Sequence, residues 1–261
     1  LLLRQGAGVI LYDGNEKLDS RAVEKKITAS ARDGAAMPAA DLEIVLGAFP
    51  EEMLGELSLA VLSPGVPADL PVVEKMRQLG IPVWGEIQLE YVFGKGEGLA
   101  ITGTNGKTTT TALLGEIMNN ARKSVFVVGN IGNPYTSVVP RTEECSAIVA
   151  EISSFQLETI HTFRPKVSAI LNITPDHLNR HHTMEAYIAA KERIAENQTE
   201  EDVCVLNYED EVLRGFGEKI KPQVLYFSSR RKLNRGVYLE NGWIIIDLGE
   251  RIPLCSVDSL H

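Results

Sequence analysis

The sharpest chemical signal in the sequence is the run Ile101-Thr102-Gly103-Thr104-Asn105-Gly106-Lys107-Thr108-Thr109. Gly103 and Gly106 allow the backbone to curl so that its N–H groups point into one concavity. A helix opening at Lys107 adds the partial positive charge of its N-terminus. Lys107 can reach the β- and γ-phosphates of a nucleotide, and the Thr108 hydroxyl can ligate Mg2+. Residues Gly103–Thr109 therefore read as a phosphate-binding loop. The full G-x-x-x-x-G-K-S/T pattern asks for glycine where Ile101 stands, so the loop is a shortened variant. An ordinary strand–turn–helix joint would have no need of Lys-Thr-Thr at that point.

Two further clusters lie downstream. The apolar run Ala147–Glu151 delivers a carboxylate at a strand end, where α/β folds put Mg2+ ligands, and Glu151 would complete a shell begun by Thr108. An acid at such a position can also be an ordinary solvated strand-end residue, but beside a phosphate loop the metal role is the favoured reading. Asn172-Ile173-Thr174-Pro175-Asp176-His177-Leu178 again follows a strand, so Asp176 and His177 sit where a second metal or a transferring phosphate could be met. His177 and His181 have the i,i+4 spacing of a zinc pair, but no cysteine and no H-E-x-x-H pattern supports zinc. His181 and His182 read as surface-loop residues. Lys191, by residue type, is the exposed lysine that any amphipathic helix carries. Gly129-Asn130-Ile131-Gly132-Asn133-Pro134 is either a plain turn or a loop that brings backbone close to a ligand.

These residues must be positioned by short β-rich runs alternating with helical stretches, the pattern of parallel α/β folds. Strands are expected at Gly8–Asp13, Glu43–Gly47, Leu59–Ser63 and Ile81–Trp84, with a helix over Val72–Leu79 closed by Gly80. The polar Gly94–Gly98 stretch reads as flexible, and a domain boundary is expected near residues 84–98. Beyond it the pattern restarts: strand Leu99–Thr102, helix Lys107–Asn119, strands Ser124–Val128, Ser146–Glu151 and Val167–Leu171, helix Met184–Asn197, strands Val203–Leu206 and Gln223–Phe227. Asn241-Gly242 between Val237–Glu240 and Trp243–Asp247 is a two-residue hairpin signal, so the tail should be antiparallel on an otherwise parallel sheet.

Composition narrows the function. The 261 residues are ample for a core, and 26 Lys+Arg against 35 Asp+Glu give a formal net charge of −9. Such a chain lacks the cationic face that nucleic acid or an anionic membrane requires, so neither is an expected partner. A phosphate ligand must be held by a local device. Cys145, Cys204 and Cys255 are widely spaced, as expected of free thiols in a reducing compartment. No apolar run reaches the roughly 18–20 residues of a membrane span. Leu1–Gly6 reads as the last turn of a helix, so the chain is expected to begin inside a fold.

In this order, the pieces resemble the Mur ligase family of amide-forming ATPases. The resemblance rests on G-T-N-G-K-T-T-T (Gly103–Thr110), Glu151, N-I-T-P-D-H (Asn172–His177) and A-A-K-E-R-I (Ala189–Ile194). Within the family, Glu151–Glu158 (E-I-S-S-F-Q-L-E) and Gly129–Gly132 are most like the D-glutamate-adding members. The resemblance implies an α/β fold of a Rossmann-like domain over residues 1–84 that holds the uridine-nucleotide substrate, and a P-loop NTPase-type domain over residues 85–261. The latter would have a mostly parallel sheet and an antiparallel C-terminal hairpin. It implies that Lys107 binds the β/γ-phosphates, with Gly103, Thr104, Asn105, Gly106, Thr108 and Thr109 around them. Thr108 and Glu151 would hold a first Mg2+, and His177 and a carbamylated Lys191 a second. Asn130, Ser153 and Gln156 would meet the muramoyl-peptide substrate, and Ser63-Pro64-Gly65 and Asp13 its uridine end. Gly14-Asn15 after Asp13 departs from the Thr-Arg of some members.

The implied reaction is ATP-dependent addition of D-glutamate to UDP-N-acetylmuramoyl-L-alanine through an acyl phosphate, for peptidoglycan precursor synthesis, by a cytoplasmic bacterial monomer. Family members carry a third domain, so the chain is expected to be cut at both ends and to bind ATP without turning over. A P-loop switch would need a D-x-x-G-like sensor and a base-reading motif, which the sequence lacks. A non-catalytic nucleotide module would leave Glu151, His177 and Lys191 without a task.

Overall fold

The computed structural model describes residues 1–32, 41–130 and 135–260. The chain divides into two compact units, Leu1–Ala60 with Asp69–Pro82, and Val61–Ala68 with Val83–His261. In the first, a 3-10 turn (Leu2–Gln5) ends at Gly6, whose φ of 80° suits glycine. Strand β1 (Val9–Asp13) is followed by helix α1 (Ser20–Arg32) and by β2 (Leu42–Leu46), which pairs parallel to β1. Helix α2 (Pro71–Gln78) also belongs to this unit, while strands β3 (Ala60–Leu62, from Val61 on) and β4 (Val83–Gly85) fall in the second, where they form a separate two-stranded sheet. Among the described residues, the strands expected in one Rossmann-like sheet thus fall into two pairs, and no residue of β1 or β2 is fully buried.

Residues on both sides of the polar 94–96 turn belong to regular elements. Residues Glu86–Phe93 form helix α3, which buries Ile87, Gln88, Leu89 and Glu90, and strand β5 (Glu97–Thr102) already includes Glu97 and Gly98. Gln88 is not a surface glutamine: its Oε1 accepts from the backbone N–H groups of His161, Thr162 and Phe163. Those contacts pin α3 to a loop over 70 residues away in sequence, which local polarity does not report.

The elements that follow are α4 (Lys107–Ala121), β6 (Val125–Gly129), α5 (Tyr135–Val138), β7 (Ala147–Glu151), α6 (Ser154–Leu157), β8 (Val167–Ile170), α7 (Leu178–His181) and α8 (Met184–Glu192). The chain continues through β9 (Val203–Asn207), α9 (Glu211–Gly217), β10 (Gln223–Ser228), β11 (Gly236–Glu240), β12 (Trp243–Asp247) and β13 (Arg251–Ser256). One nine-stranded sheet runs β13-β12-β11-β10-β9-β8-β5-β7-β6. From β6 to β11 all pairs are parallel, and β11-β12 and β12-β13 are antiparallel. Asn241 and Gly242 both have positive φ, 50° and 77°, as the expected tight hairpin demands. Strand β13 carries Pro253, which an edge strand tolerates and which hides it in the sequence.

Strand β7 is buried along its whole length and lies between β5 and β6, as a central parallel strand should. Helix α4 lies closely on the neighbouring strand β6, because a Cβ on Gly115 would fall 2.4 Å from Val127 Cγ2. The chain order reverses on either side of β5, whose neighbours are β7 and β8. Such a reversal opens a crevice beyond the carboxyl ends of the strands.

Candidate active site

The 103–106 loop leaves β5 into that crevice. Gly103 has φ 149°, and a Cβ there would meet Leu171 Cβ at 3.1 Å; Gly106, at φ 84°, starts α4. The loop is pinned from the next strand. Thr104 N–H donates to the Asn172 carbonyl (2.9 Å), Asn105 N–H to Asn172 Oδ1 (2.8 Å), and Asn172 Nδ2 back to the Asn105 carbonyl (3.0 Å). Thr104 Oγ1 accepts from Thr174 N–H (3.0 Å) and lies 3.1 Å from the Tyr187 hydroxyl. Asn172 and Thr174 of the N-I-T-P-D-H segment thus serve first to shape the loop. Lys107 Nζ donates to the Gly103 and Thr104 carbonyls, at 3.0 and 2.9 Å.

Glu151 is 1% exposed at the end of β7. Its Oε2 accepts from Thr108 Oγ1 (2.9 Å) and its Oε1 from Asn130 Nδ2 (3.0 Å), both neutral donors. A buried carboxylate is costly without a cation. Glu151 with Thr108 fits Mg2+, which is held by one or two protein oxygens and keeps several waters. Among the described residues, no three His, Cys, Asp or Glu side chains are grouped to hold a metal ion.

Lys191 departs from the exposed lysine that its residue type suggests. It is 2% exposed, its Nζ donates to the Gly103 carbonyl (2.8 Å), and it lies 4.7 Å from the Tyr187 ring centroid. Burial, with the nearby Lys107 ammonium, pushes its pKa down to about 7 against the opposing field of Asp176. Two lysines from different helices thus share one loop carbonyl.

His177 begins α7 in a left-handed conformation (φ 51°), with its ring half-exposed, 3.5 Å from Asp176 Oδ2 and 5.1 Å from the Phe155 ring. His182 lies on the surface, but the surface reading fails for His181, which is 6% exposed. Its Nε2 is 2.9 Å from Ser154 Oγ, its Nδ1 3.4 Å from Glu158 Oε1, and its ring stacks on Phe155. Burial lowers its pKa. Partners 23 and 27 residues upstream make it a core histidine, and no local pattern reveals them. Tyr187, which is fully buried and joins Thr104, His181 and Lys191, was also invisible to motif reading.

The substrate-side residues divide. Asn130 reaches Glu151, as above, while residues 131–134 of its loop lie outside the described residues. Ser153 and Gln156 form a capping box at the start of α6, which occupies the Gln156 amide oxygen with Ser153 N–H. Ser63 and Pro64 line a small cavity with Phe155, Gln156 and Glu158, and Gly65 lies in the turn closed by Val66 N–H on the Ser63 carbonyl. Asp13 belongs to the other unit, where its Oδ1 accepts from Asn15 N–H.

A larger cavity, about 520 Å3, opens at the opposite ends of the same strands, lined by Tyr91, Lys95, Glu144, Phe163 and Arg164 among others. Its ions are paired: Arg164 Nε with buried Asp202 (2.6 Å), Lys166 with Asp202 (3.3 Å) and Lys95 with Glu144 (3.6 Å).

Residues 101–241 match the Mur ligase middle domain. The chain is 54% identical over 262 residues to the UDP-N-acetylmuramoylalanine--D-glutamate ligase of Lachnoclostridium phytofermentans, covering 100% of this chain and 56% of that one. It is 57% identical over 244 residues to the enzyme of the same name from Lachnospira eligens, covering 94% and 52%. The chain thus spans about half the length of the curated relatives it matches. The UDP-N-acetylmuramate:L-alanyl-gamma-D-glutamyl-meso-diaminopimelate ligase from Neisseria meningitides shares the fold, with TM-score 0.55, 16% identity, and 97% of this chain and 81% of that chain covered. So does MurF from Acinetobacter baumannii, with TM-score 0.52, 17% identity and coverage of 95% and 52%.

Proposed function

Because the chain belongs to the Mur ligase family through its middle domain, we propose that it is the substrate-nucleotide and ATPase portion of a ligase that adds D-glutamate to UDP-N-acetylmuramoyl-L-alanine at the expense of ATP. The relatives at 54 and 57% identity are named for that product. One observation carries the catalytic part: Lys107 and Lys191 converge on the Gly103 carbonyl beside a buried Glu151 that only neutral donors satisfy. A polyphosphate would give the Lys107 ammonium a far stronger acceptor than a peptide carbonyl.

In this reading Lys107 and the N–H groups of Gly103–Thr109 bind the β- and γ-phosphates of ATP. Thr108 and Glu151 hold one Mg2+, and His177 and Lys191 serve a second. Mg2+, when bound, draws charge from the phosphates so that two anions can meet. The Lys191 amine, neutral in large part near pH 7, adds CO2 with loss of a proton and becomes a carbamate, an oxygen donor in place of an ammonium. The carboxylate of the muramoyl-L-alanine attacks the γ-phosphorus, the bond to the ADP oxygen breaks, and an acyl phosphate forms. The D-glutamate amine then attacks the acyl carbon, loses a proton, and phosphate departs. Positioning and fixed charge supply most of the acceleration.

Residues 1–84 would hold the uridine nucleotide through Asp13 and Ser63-Pro64-Gly65, residues 85–261 would form the ATPase domain, and Asn130, Ser153 and Gln156 would meet the muramoyl peptide. The protein would work as a monomer in the bacterial cytoplasm. A phosphate-release assay on the full-length protein tests the proposal. Release with UDP-N-acetylmuramoyl-L-alanine should require D-glutamate. Equal release with L-lysine, meso-diaminopimelate or L-glutamate would overturn the assignment of the amine donor, and release without any amine would favour a simple NTPase.

A further inference from the structure

We propose that His181 is a positioning residue that fixes His177, and with it the reacting side of the crevice, by locking α7 to the 154–158 turn. Helix α7 has four residues, and both flanking residues, His177 (φ 51°) and His182 (φ 65°), adopt left-handed backbone that side chains other than glycine rarely accept. Such a conformation persists only where the surroundings over-determine it. A single helical turn brings too few hydrogen bonds to do so alone.

The surroundings that do so converge on His181. Its N–H donates to the His177 carbonyl (3.0 Å), so the two residues share one turn of backbone. Its ring has a partner on every side. Ser154 Oγ lies at Nε2 (2.9 Å) and Glu158 Oε1 at Nδ1 (3.4 Å), while Phe155 stacks at 5.3 Å and 19° and Tyr187 lies tilted at 5.2 Å. A proton on Nδ1 toward the carboxylate leaves Nε2 to accept from the Ser154 hydroxyl, so the neutral imidazole satisfies both contacts at once. Arg180, the preceding residue, repeats the connection: it donates to Glu158 (3.0 Å) and its guanidinium lies over the Phe155 ring at 4.7 Å. Phe155 in turn meets His177 at 5.1 Å. The turn that carries Gln156 and the helix that starts at His177 are therefore spaced by His181, and Tyr187 carries the same spacing to the phosphate loop through Thr104.

The effect on turnover rests on the function proposed above; the effect on His177 does not. Two measurements on the full-length protein keep them apart. The first follows the ring nitrogen signals of His177 in histidine-labelled protein. His181→Gln, which keeps a group able to bond Ser154 but loses the stack and the Glu158 contact, should shift or split them. Ser154→Ala, a milder change, should shift them less and in the same direction. The second is steady-state kinetics with ATP affinity measured by calorimetry. His181→Gln should lower kcat about tenfold or raise KM for the uridine-nucleotide substrate about as much, with ATP affinity within about twofold of wild type. A residue that only fills the core would lower the thermal midpoint and leave the His177 signals and this split unchanged. Unmoved His177 signals in both variants overturn the proposal. A wild-type protein that makes no amide would remove the ligase reading, while the His177 signals would still decide the role of His181.

Discussion

The two ends of the central strands present opposite solutions to the same electrostatic problem. At their amino ends, where a cavity of about 520 Å3 opens, buried Asp202 is met by Arg164 and Lys166, and Lys95 by Glu144. At their carboxyl ends, Lys107 and Lys191 donate to backbone carbonyls, and Glu151 accepts from a hydroxyl and an amide. The first end is internally neutralised. The second holds charges of both signs within reach of one loop without letting them cancel each other. Charge answered only by neutral groups, rather than volume, marks where a charged ligand belongs.

The contrast is broken most severely by Lys191→Ala. In the full-length protein it should lower amide formation by about 10²–10³-fold with the fold intact, and wild-type rates would return Lys191 to an ordinary core lysine. Next, Lys107→Ala should weaken ATP binding about 100-fold, and calorimetry on the 261-residue chain reads this directly. At the other end Asp202→Asn should cost about 2 kcal/mol of stability in denaturant unfolding and leave ATP affinity unchanged. Burial works against the Asp202 carboxylate, yet Arg164, the Thr199 N–H and Lys166 hold its pKa at about 2. Its contribution is therefore present above the ordinary carboxylate pKa and is lost as pH falls from about 4 towards 2. The Asn variant should lose that part of the acid dependence. The smallest effect belongs to Lys95→Ala, whose pair with Glu144 is exposed: less than about 0.5 kcal/mol, by the same unfolding measurement.

What could be read from the sequence follows the range of the interactions. The phosphate loop, the carboxylate ending β7 and the Asn241-Gly242 hairpin are local patterns, and each lies where its residues imply. Lys191 is different: helical periodicity gives its position on α8, but its burial depends on Gly103, 88 residues away. Tyr187 reaches Thr104 across 83 residues, and no spacing rule links them. His181 reads as a surface-loop residue beside His182 because its partners, Ser154, Phe155 and Glu158, lie 23 to 27 residues upstream, where no local pattern points to them. Helix α3 was concealed by the glycines after it, and β13 by its proline.

The pinning of the phosphate loop also has a consequence in time. Apart from Glu151, which meets Thr108 from 43 residues downstream, the groups that pin or load it from outside, on Asn172, Thr174, Tyr187 and Lys191, lie 67 to 88 residues downstream. During synthesis at about 5–20 residues per second, the Gly103–Thr108 segment is made several seconds before its tethers leave the ribosome. If the site binds nucleotide as proposed, nucleotide would meet it complete only after Lys191 has emerged.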